Sequence, residues 1–158
     1  MLVRRYKDVL YRYAERMTGR VDEAEDLVQR SLIKGFNNLS RCREPERFGG
    51  WLYRIVVNLC KDQLKGRHRL EVPLESVAER SSKRAGPDRD FDRSALREEL
   101  YQALQELSPD RREAFVLKHV EGWSYEEMAE VLQVSVSALK MRVMRAREHM
   151  QELLEHYR

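Results

Sequence analysis

Lys140, Arg142, Arg145 and Arg147 lie within residues 135–147, a stretch that holds no acid. On a helix such side chains can read nucleic acid. An arginine fork matches guanine O6 and N7, a hydroxyl such as that of Ser137 bonds a base edge or a phosphate, and the tip of Met141 suits a thymine methyl. Ser135, at the head of the stretch, can hold a phosphate at the positive end of a helix dipole. The competing reading is an ordinary packed helix with a solvated basic side. A second set, Arg54, Asn58, Lys61 and Lys65, repeats at helical spacing and can track a phosphate backbone. Phe48, Trp51 and Tyr53 stand beside it, and aromatics next to bases are what unstacked nucleotides need. The alternative is that Phe48 and Trp51 are core. A third set, Asp22, Asp26, Gln29 and Arg30, forms one polar helix side that alone distinguishes nothing from a solvated surface. No glycine-rich phosphate loop, nucleophile elbow, HExxH or pocketed carboxylate pair is present, so no catalytic residues are expected.

Charge distribution supports a polyanion bound at two places. The chain of 158 residues carries a net charge of only +3. Residues 1–70 hold 16 bases against 9 acids, and residues 99–158 hold 8 against 11. Two local basic surfaces thus sit in a mixed chain. Cys42 and Cys60 form no CxxC, and His68, His119, His149 and His156 show no ligand spacing with them, so neither metal nor cofactor nor structural disulfide is expected. No apolar run approaches the ~20 residues that cross a bilayer. Met1-Leu2-Val3 leads straight into Arg4-Arg5 with no signal-peptide pattern, so a cytoplasmic protein with no membrane insertion is expected.

The elements that must position these residues are helices. Glycine and proline are few and period-2 apolar alternation is missing, which predicts an all-α chain. A first helix over about 2–17 ends at Gly19, a natural left-handed cap. Asp22 with Glu25 resembles a capping box for a second helix, with Ala24, Leu27, Val28, Leu32, Phe36 and Leu39 on its buried face. A polar loop, "SRCREPERFGG", leads to a third helix from about Phe48 or Trp51 to Arg67 that turns Phe48, Leu52, Ile55 and Leu59 inward. Residues 70–93 lose periodicity and read as a flexible linker, with a helical turn around 75–80. Beyond it, a helix over about 94–107 buries Leu96, Leu100, Ala103, Leu104 and Leu107. Ser108-Pro109 starts the next, which closes at Gly122. Ser124 and Glu127 form an S-x-x-E box, Gln133-Val134-Ser135 makes a three-residue corner, and Ser135 caps the last helix. There Val136, Leu139, Val143, Ala146, Met150 and Leu153 form one buried stripe. At about 100° per residue, Ser137, Met141 and Arg145 lie opposite. A helix pair across such a corner matches the helix-turn-helix. The domains expected are therefore 1–69, a linker at 70–93, and 94–158.

"TGRVDEAEDLVQRSLIKGF", "FGGWLYRIVVNLCKDQLKGR" and "LQELSPDRREAFVLKHVEGWSYEEMAEVLQVSVSALKMRVMRARE", in this order, resemble the small two-domain bacterial sigma factors of the extracytoplasmic-function group, within the sigma-70 family. The resemblance spans nearly the whole chain. It implies two small helical domains, the C-terminal one a helix-turn-helix, and a factor that directs promoter-specific initiation. It implies that Asp22, Asp26, Leu27, Gln29 and Arg30 meet the clamp helices of the largest core RNA polymerase subunit, with a further contact to the polymerase flap. Arg41, Arg43, Phe48, Trp51, Arg54, Asn58, Lys61 and Lys65 would recognise and melt the −10 element and capture a flipped base. Ser135, Ser137, Ala138, Lys140, Met141, Arg142 and Arg145 would read the −35 element. Family members are commonly held by a cognate anti-sigma factor. The linker would thread toward the polymerase active-site channel.

Some positions depart from the family pattern. Arg30 stands where a glutamate is usual, Gln133 replaces the turn glycine, and Ser137-Ala138-Leu139 stands for Gly-Thr-Val. The chain begins inside the family's first helix. Two other classes compete: a decoy that only sequesters an anti-sigma factor, and a helix-turn-helix regulator that works without polymerase. The two basic faces speak against the first, and the "AEDLVQ" helix against the second.

Overall fold

The computed structural model describes residues 2–70 and 91–156, and among them all regular structure is helical. The turn expected at 75–80 and most of the expected linker lie outside the described residues. Helix α1 (Leu2–Thr18) stops where Gly19 turns left-handed at φ 72° and its N–H bonds the Glu15 carbonyl at 2.9 Å. Helix α2 (Val21–Asn37) follows at once. Its N-cap is Arg20, in extended conformation, with no side-chain cap bond. Asp22 therefore sits inside the first turn, where it complements the dipole, and does not cap as expected.

The buried face of α2 also differs from expectation. Ala24, Leu27, Val28, Ser31 and Gly35 are buried, whereas Phe36 is 78% exposed and Leu39 is exposed too. The reason is Gly35. A Cβ there would lie 2.9 Å from Leu52 Cδ1, so α3 packs directly over Gly35 and leaves Phe36 turned to solvent.

Two short 3₁₀ turns, Leu39–Arg41 and Pro45–Arg47, shape the polar loop before α3 (Phe48–Leu70). The stripe of α3 is Leu52, Tyr53, Val56, Val57, Cys60 and Leu64. Ile55 and Leu59 are only half-buried: the covered sides of α3 carry the stripe above, and Leu59 borders an open groove with Arg20, Glu23 and Arg30. These three helices pack as one bundle around Leu10, Tyr13, Met17, Leu27 and Val56.

The second bundle comprises α4 (Phe91–Glu106), α5 (Pro109–Phe115) with a π-helical turn at Val116–Val120, α6 (Tyr125–Leu132) and α7 (Val136–His156). Pro109 occupies the first position of α5, where its missing N–H costs nothing. Leu96, expected inward, is 53% exposed, since α4 packs only from Leu100 onward. Leu139, Val143, Ala146 and Met150 form the buried stripe of α7. The two bundles share one contiguous core, and a chain of rings crosses between them: Tyr13 to Tyr53 at 5.4 Å and Tyr53 to Trp123 at 5.2 Å. Among the described residues no helix is long and apolar enough to cross a membrane.

Candidate nucleic-acid interface

The recognition-type helix is built by its caps. The Ser124 hydroxyl accepts from Glu127 N–H at 3.1 Å, and Ser124 N–H donates to the Glu127 carboxylate at 2.9 Å, so α6 starts on a complete capping box. At the corner, Gln133 adopts φ 56°, ψ 43°, the left-handed region. Its side-chain amide donates to the Glu130 carbonyl at 3.0 Å, which offsets part of the strain. Ser135 Oγ accepts from Ala138 N–H at 3.2 Å and sets the first turn of α7. With Leu139 and Val143 buried, Ser135, Ser137, Lys140, Met141 and Arg145 are exposed, and Ala138 and Arg142 are half-buried.

Arg142 differs from its neighbours. Its Nη1 is buried with no hydrogen-bond partner among the described residues. It acts on Glu113 of α5, which is 1% exposed and whose two oxygens likewise lack a hydrogen-bond partner among the described residues. Burial is the main reason that the Glu113 carboxyl is pushed up from 4.5 to about 7. Lys61, Arg142 and Lys65 oppose that rise, and Asp110 adds to it. Part of the Arg142 charge therefore faces inward.

The second surface lies on α3 and the loop before it. Arg41 and Arg43 are exposed on the loop, and Asn58 and Lys65 are exposed on the helix. Phe48 lies between Trp51, tilted by 40° with centroids 5.9 Å apart, and Tyr6, edge-on at 5.9 Å. Gly49 permits this, since a Cβ there would meet Tyr6 Cε1 at 2.8 Å. Tyr6 and Gly49 border a cleft of about 980 Å³ whose first-domain wall also includes Arg5, Arg41, Arg43, Trp51 and Arg54. Glu121, Trp123, Glu127 and Glu130 of the second domain face them. Arg54 Nη2 donates to the Glu130 carbonyl at 3.0 Å, and Lys61 Nζ to the Leu132 carbonyl at 3.4 Å. Tyr53 lies at this seam, where burial and then the Glu121 carboxylate push its hydroxyl well above the usual tyrosine range.

On α2, Asp22, Asp26, Gln29 and Arg30 are exposed on the outer side. Leu27 is 0% exposed, so it supports that face from within instead of standing on it. Arg30 pairs with Asp26 one turn earlier at 3.6 Å. The structure thus puts Asp22, Asp26, Gln29 and Arg30 on one exposed side of α2 and Ser135, Ser137, Lys140, Met141 and Arg145 on the exposed side of α7, and it gathers Arg41, Arg43, Trp51 and Arg54 around the cleft, with Phe48, Asn58, Lys61 and Lys65 outside its lining. It adds Arg5 and Tyr6, which only the three-dimensional path of α1 brings beside the loop.

Residues 2–70 match the family described as Sigma-70 region 2, and residues 97–150 match Sigma-70, region 4. The ECF RNA polymerase sigma factor SigE of Mycolicibacterium smegmatis is 36% identical over 155 residues. That match takes in 97% of this chain, which spans 60% of the relative's length. RNA polymerase sigma factor CarQ of Myxococcus xanthus is 35% identical over 156 residues, with 94% of this chain and 88% of that protein covered. Among solved structures, the sigma factor RpoE of Bartonella quintana, in complex with the anti-sigma factor NepR, superposes with a TM-score of 0.73 at 30% identity, covering 99% of this chain and 96% of that one. CnrH, in complex with the cytosolic domain of CnrY, gives 0.68 at 28% identity, with 98% and 86% covered. The order of the two matched regions and the shared two-bundle arrangement place this chain in the extracytoplasmic-function group of the sigma-70 family of RNA polymerase sigma factors.

Proposed function

We propose that this chain is a promoter-specificity subunit: it binds core RNA polymerase and directs initiation at promoters with −10 and −35 elements. The observation that carries this reading is the pairing of two chemically different nucleic-acid surfaces on one chain. One, on α3 and its loop, combines arginines with clustered aromatics and suits unstacked bases. The other, on α7, presents hydroxyl, cation and thioether on one exposed side and suits the edge pattern of a duplex groove. A regulator that binds only duplex has no use for the first.

The outer side of α2, with Asp26 and Gln29, is assigned to the clamp helices of the polymerase. In this reading Arg30 does not reverse the charge of that side by itself, because Asp26 shares its charge locally. Ser137, Lys140, Met141 and Arg145 take the base-reading positions. Arg142, with Nη1 buried and its charge felt by Glu113, supports the seat of α7 as well as facing DNA. The factor acts with polymerase in the cytoplasm and is not itself an enzyme. An anti-sigma factor is the expected controlling partner, since RpoE and CnrH are each seen bound to another protein, in the first case one named as an anti-sigma factor.

The test is holoenzyme assembly. Mixed with core polymerase, the chain should co-elute on gel filtration and select, from a pool of random DNA, duplexes carrying two separated sequence elements. Asp26→Arg should weaken co-elution several-fold. Co-elution of that variant at the wild-type level would remove α2 as the docking face, and selection of a single element would remove the two-surface reading.

A further inference from the structure

Tryptophan occurs twice in this chain, and both copies line the cleft between the two bundles. Trp51 stands on the first-domain wall and Trp123 on the second, each half-buried. Both rings are held in place. Phe48 flanks Trp51 at 5.9 Å, and Tyr53 flanks Trp123 at 5.2 Å. The backbone of Trp123 is pinned as well: its N–H donates to the Leu117 carbonyl at 2.9 Å, and its carbonyl accepts from Lys118 Nζ at 3.3 Å. Two fixed indoles at one cavity are platforms on which a flat heterocycle can stack.

The charges of the cleft are sorted by wall. Arg5, Arg41, Arg43, Arg47 and Arg54 line the first-domain side against a single acid, Glu44, which Arg47 meets at 2.8 Å. Arg54 is turned to the Glu130 carbonyl at 3.0 Å. Arg5, Arg41 and Arg43 are exposed and make no ion pair among the described residues. Unpaired guanidiniums suit the oxygens of a polyphosphate, which arginine grips as a fork. The facing wall carries Glu121, Glu127 and Glu130 and no cation. Glu121 is engaged with Arg16 at 3.2 Å, and Glu127 with the Ser124 N–H at 2.9 Å. Glu130 is left exposed, with Arg54 Nη2 at 3.8 Å.

A bare polyanion gains on the first wall and is repelled by the second. A ligand that satisfies both has phosphates at one end, a flat ring in the middle and N–H donors at the other. Guanine fits this pattern, because its N1–H and N2–H lie side by side and can fork onto one carboxylate. Adenine instead sets its amino group beside a ring nitrogen that a carboxylate repels. We propose that this cleft binds a guanine nucleotide with two or three phosphates. Arg5, Arg41 and Arg43 hold the phosphates, Trp51 and Trp123 flank the base, and Glu130 accepts from N1–H and N2–H. A volume of about 980 Å³ is ample for such a ligand. The site stands whether or not α3 meets promoter DNA. Where it does, Arg41, Arg43 and Trp51 serve both ligands, so nucleotide and strand exclude one another; that consequence alone rests on the promoter reading.

The test uses the full chain, whose tryptophan emission comes from this cavity alone. Magnesium-free GTP, ATP and inorganic triphosphate are titrated in, followed by emission and by calorimetry. GTP should quench the emission and bind with a Kd below about 1 mM. ATP should bind at least about fivefold more weakly, since its edge mismatches Glu130. Triphosphate has no ring to stack and should bind at least about tenfold more weakly. Arg41→Gln with Arg43→Gln, both at exposed positions, should weaken GTP at least about tenfold. Glu130→Ala should lower GTP to the affinity of ATP and leave ATP unchanged. Single-stranded DNA of mixed sequence should displace GTP. No saturation by GTP at about 1 mM would overturn the site. Equal affinities for GTP and triphosphate would reduce it to an anion patch, and equal affinities for GTP and ATP would overturn the guanine assignment. Failure of DNA to displace GTP would overturn the exclusion. All these readouts come from the free chain, so they are separate from transcription with core polymerase, which tests the promoter reading.

Discussion

At the scale of single residues, Gln133 holds a position that favours glycine. Its φ of 56° costs on the order of 1 kcal/mol for a residue with a Cβ. Its amide bond to Glu130 returns about as much as an ordinary hydrogen bond, roughly 0.5–1.5 kcal/mol. Gln133→Gly should therefore change stability by less than about 1 kcal/mol, whereas Gln133→Leu keeps the strain, loses the bond and should melt lower than both. A Leu variant as stable as the wild type would show that the bond contributes nothing. Glu113 gives a second prediction at this scale. Its folded pKa of about 7 lies above its value of 4.5 in water, so the folded state holds its proton more tightly. The stability this contributes is complete below pH 4.5 and is lost as pH rises through 7, by roughly 3 kcal/mol. Thermal melts of Glu113→Gln should gain on the wild type from pH 5 to about 7 and level off above it. Parallel curves would mean that the carboxylate finds its charge partner in Arg142. The sequence marked Gln133 as a glutamine where a tight turn favours glycine, but whether the corner is left-handed or reshaped is decided only by the backbone, which is left-handed. The inward pull on Arg142 was not legible, because it needs Glu113 from a different helix.

At the scale of elements, Arg112 shows how a helix end becomes a joint. It is 6% exposed and donates to the carbonyls of Leu104, Gln105 and Leu107 besides that of Met17. Arg112→Met would leave four carbonyls short of a donor, and urea denaturation should show a loss of about 3 kcal/mol or more. Arg112→Lys should recover only part of it, since an ammonium cannot fork to four oxygens. A lysine variant of full stability would contradict the geometry. The sequence carried the helices and most caps, because those depend on neighbours three or four residues away: Ser124 with Glu127, Ser135, Pro109, Gly19. It misled where a distant element decides. Phe36 fits the apolar period of α2, yet the close packing of α3 on Gly35 turns it outward. Arg112 gives no sign of its role in "SPDRREAF", because its acceptors lie at the end of α4, in the turn after it and at the end of α1, and only their packing together buries it.

At the scale of the whole molecule, the candidate surfaces were legible as sets of residues, but their mutual relation was not. Period and charge placed Arg54 and Lys61 on one face of α3. Nothing in that pattern indicates that the same side chains bond the helix-turn-helix domain in this structure. That relation also predicts salt dependence. Added salt screens the exposed Arg54–Glu130 pair, so scattering dimensions of the free chain should grow between low and high ionic strength, and constant dimensions would assign the packing of the two bundles to the buried bonds alone. The most direct test of the central claim is run-off transcription by core polymerase, with and without this chain, on a library of promoters varied in the −35 and −10 elements. The account predicts discrete transcripts that depend on the chain and on both elements. Folded chain that assembles with core yet yields no specific transcript across the library would contradict it.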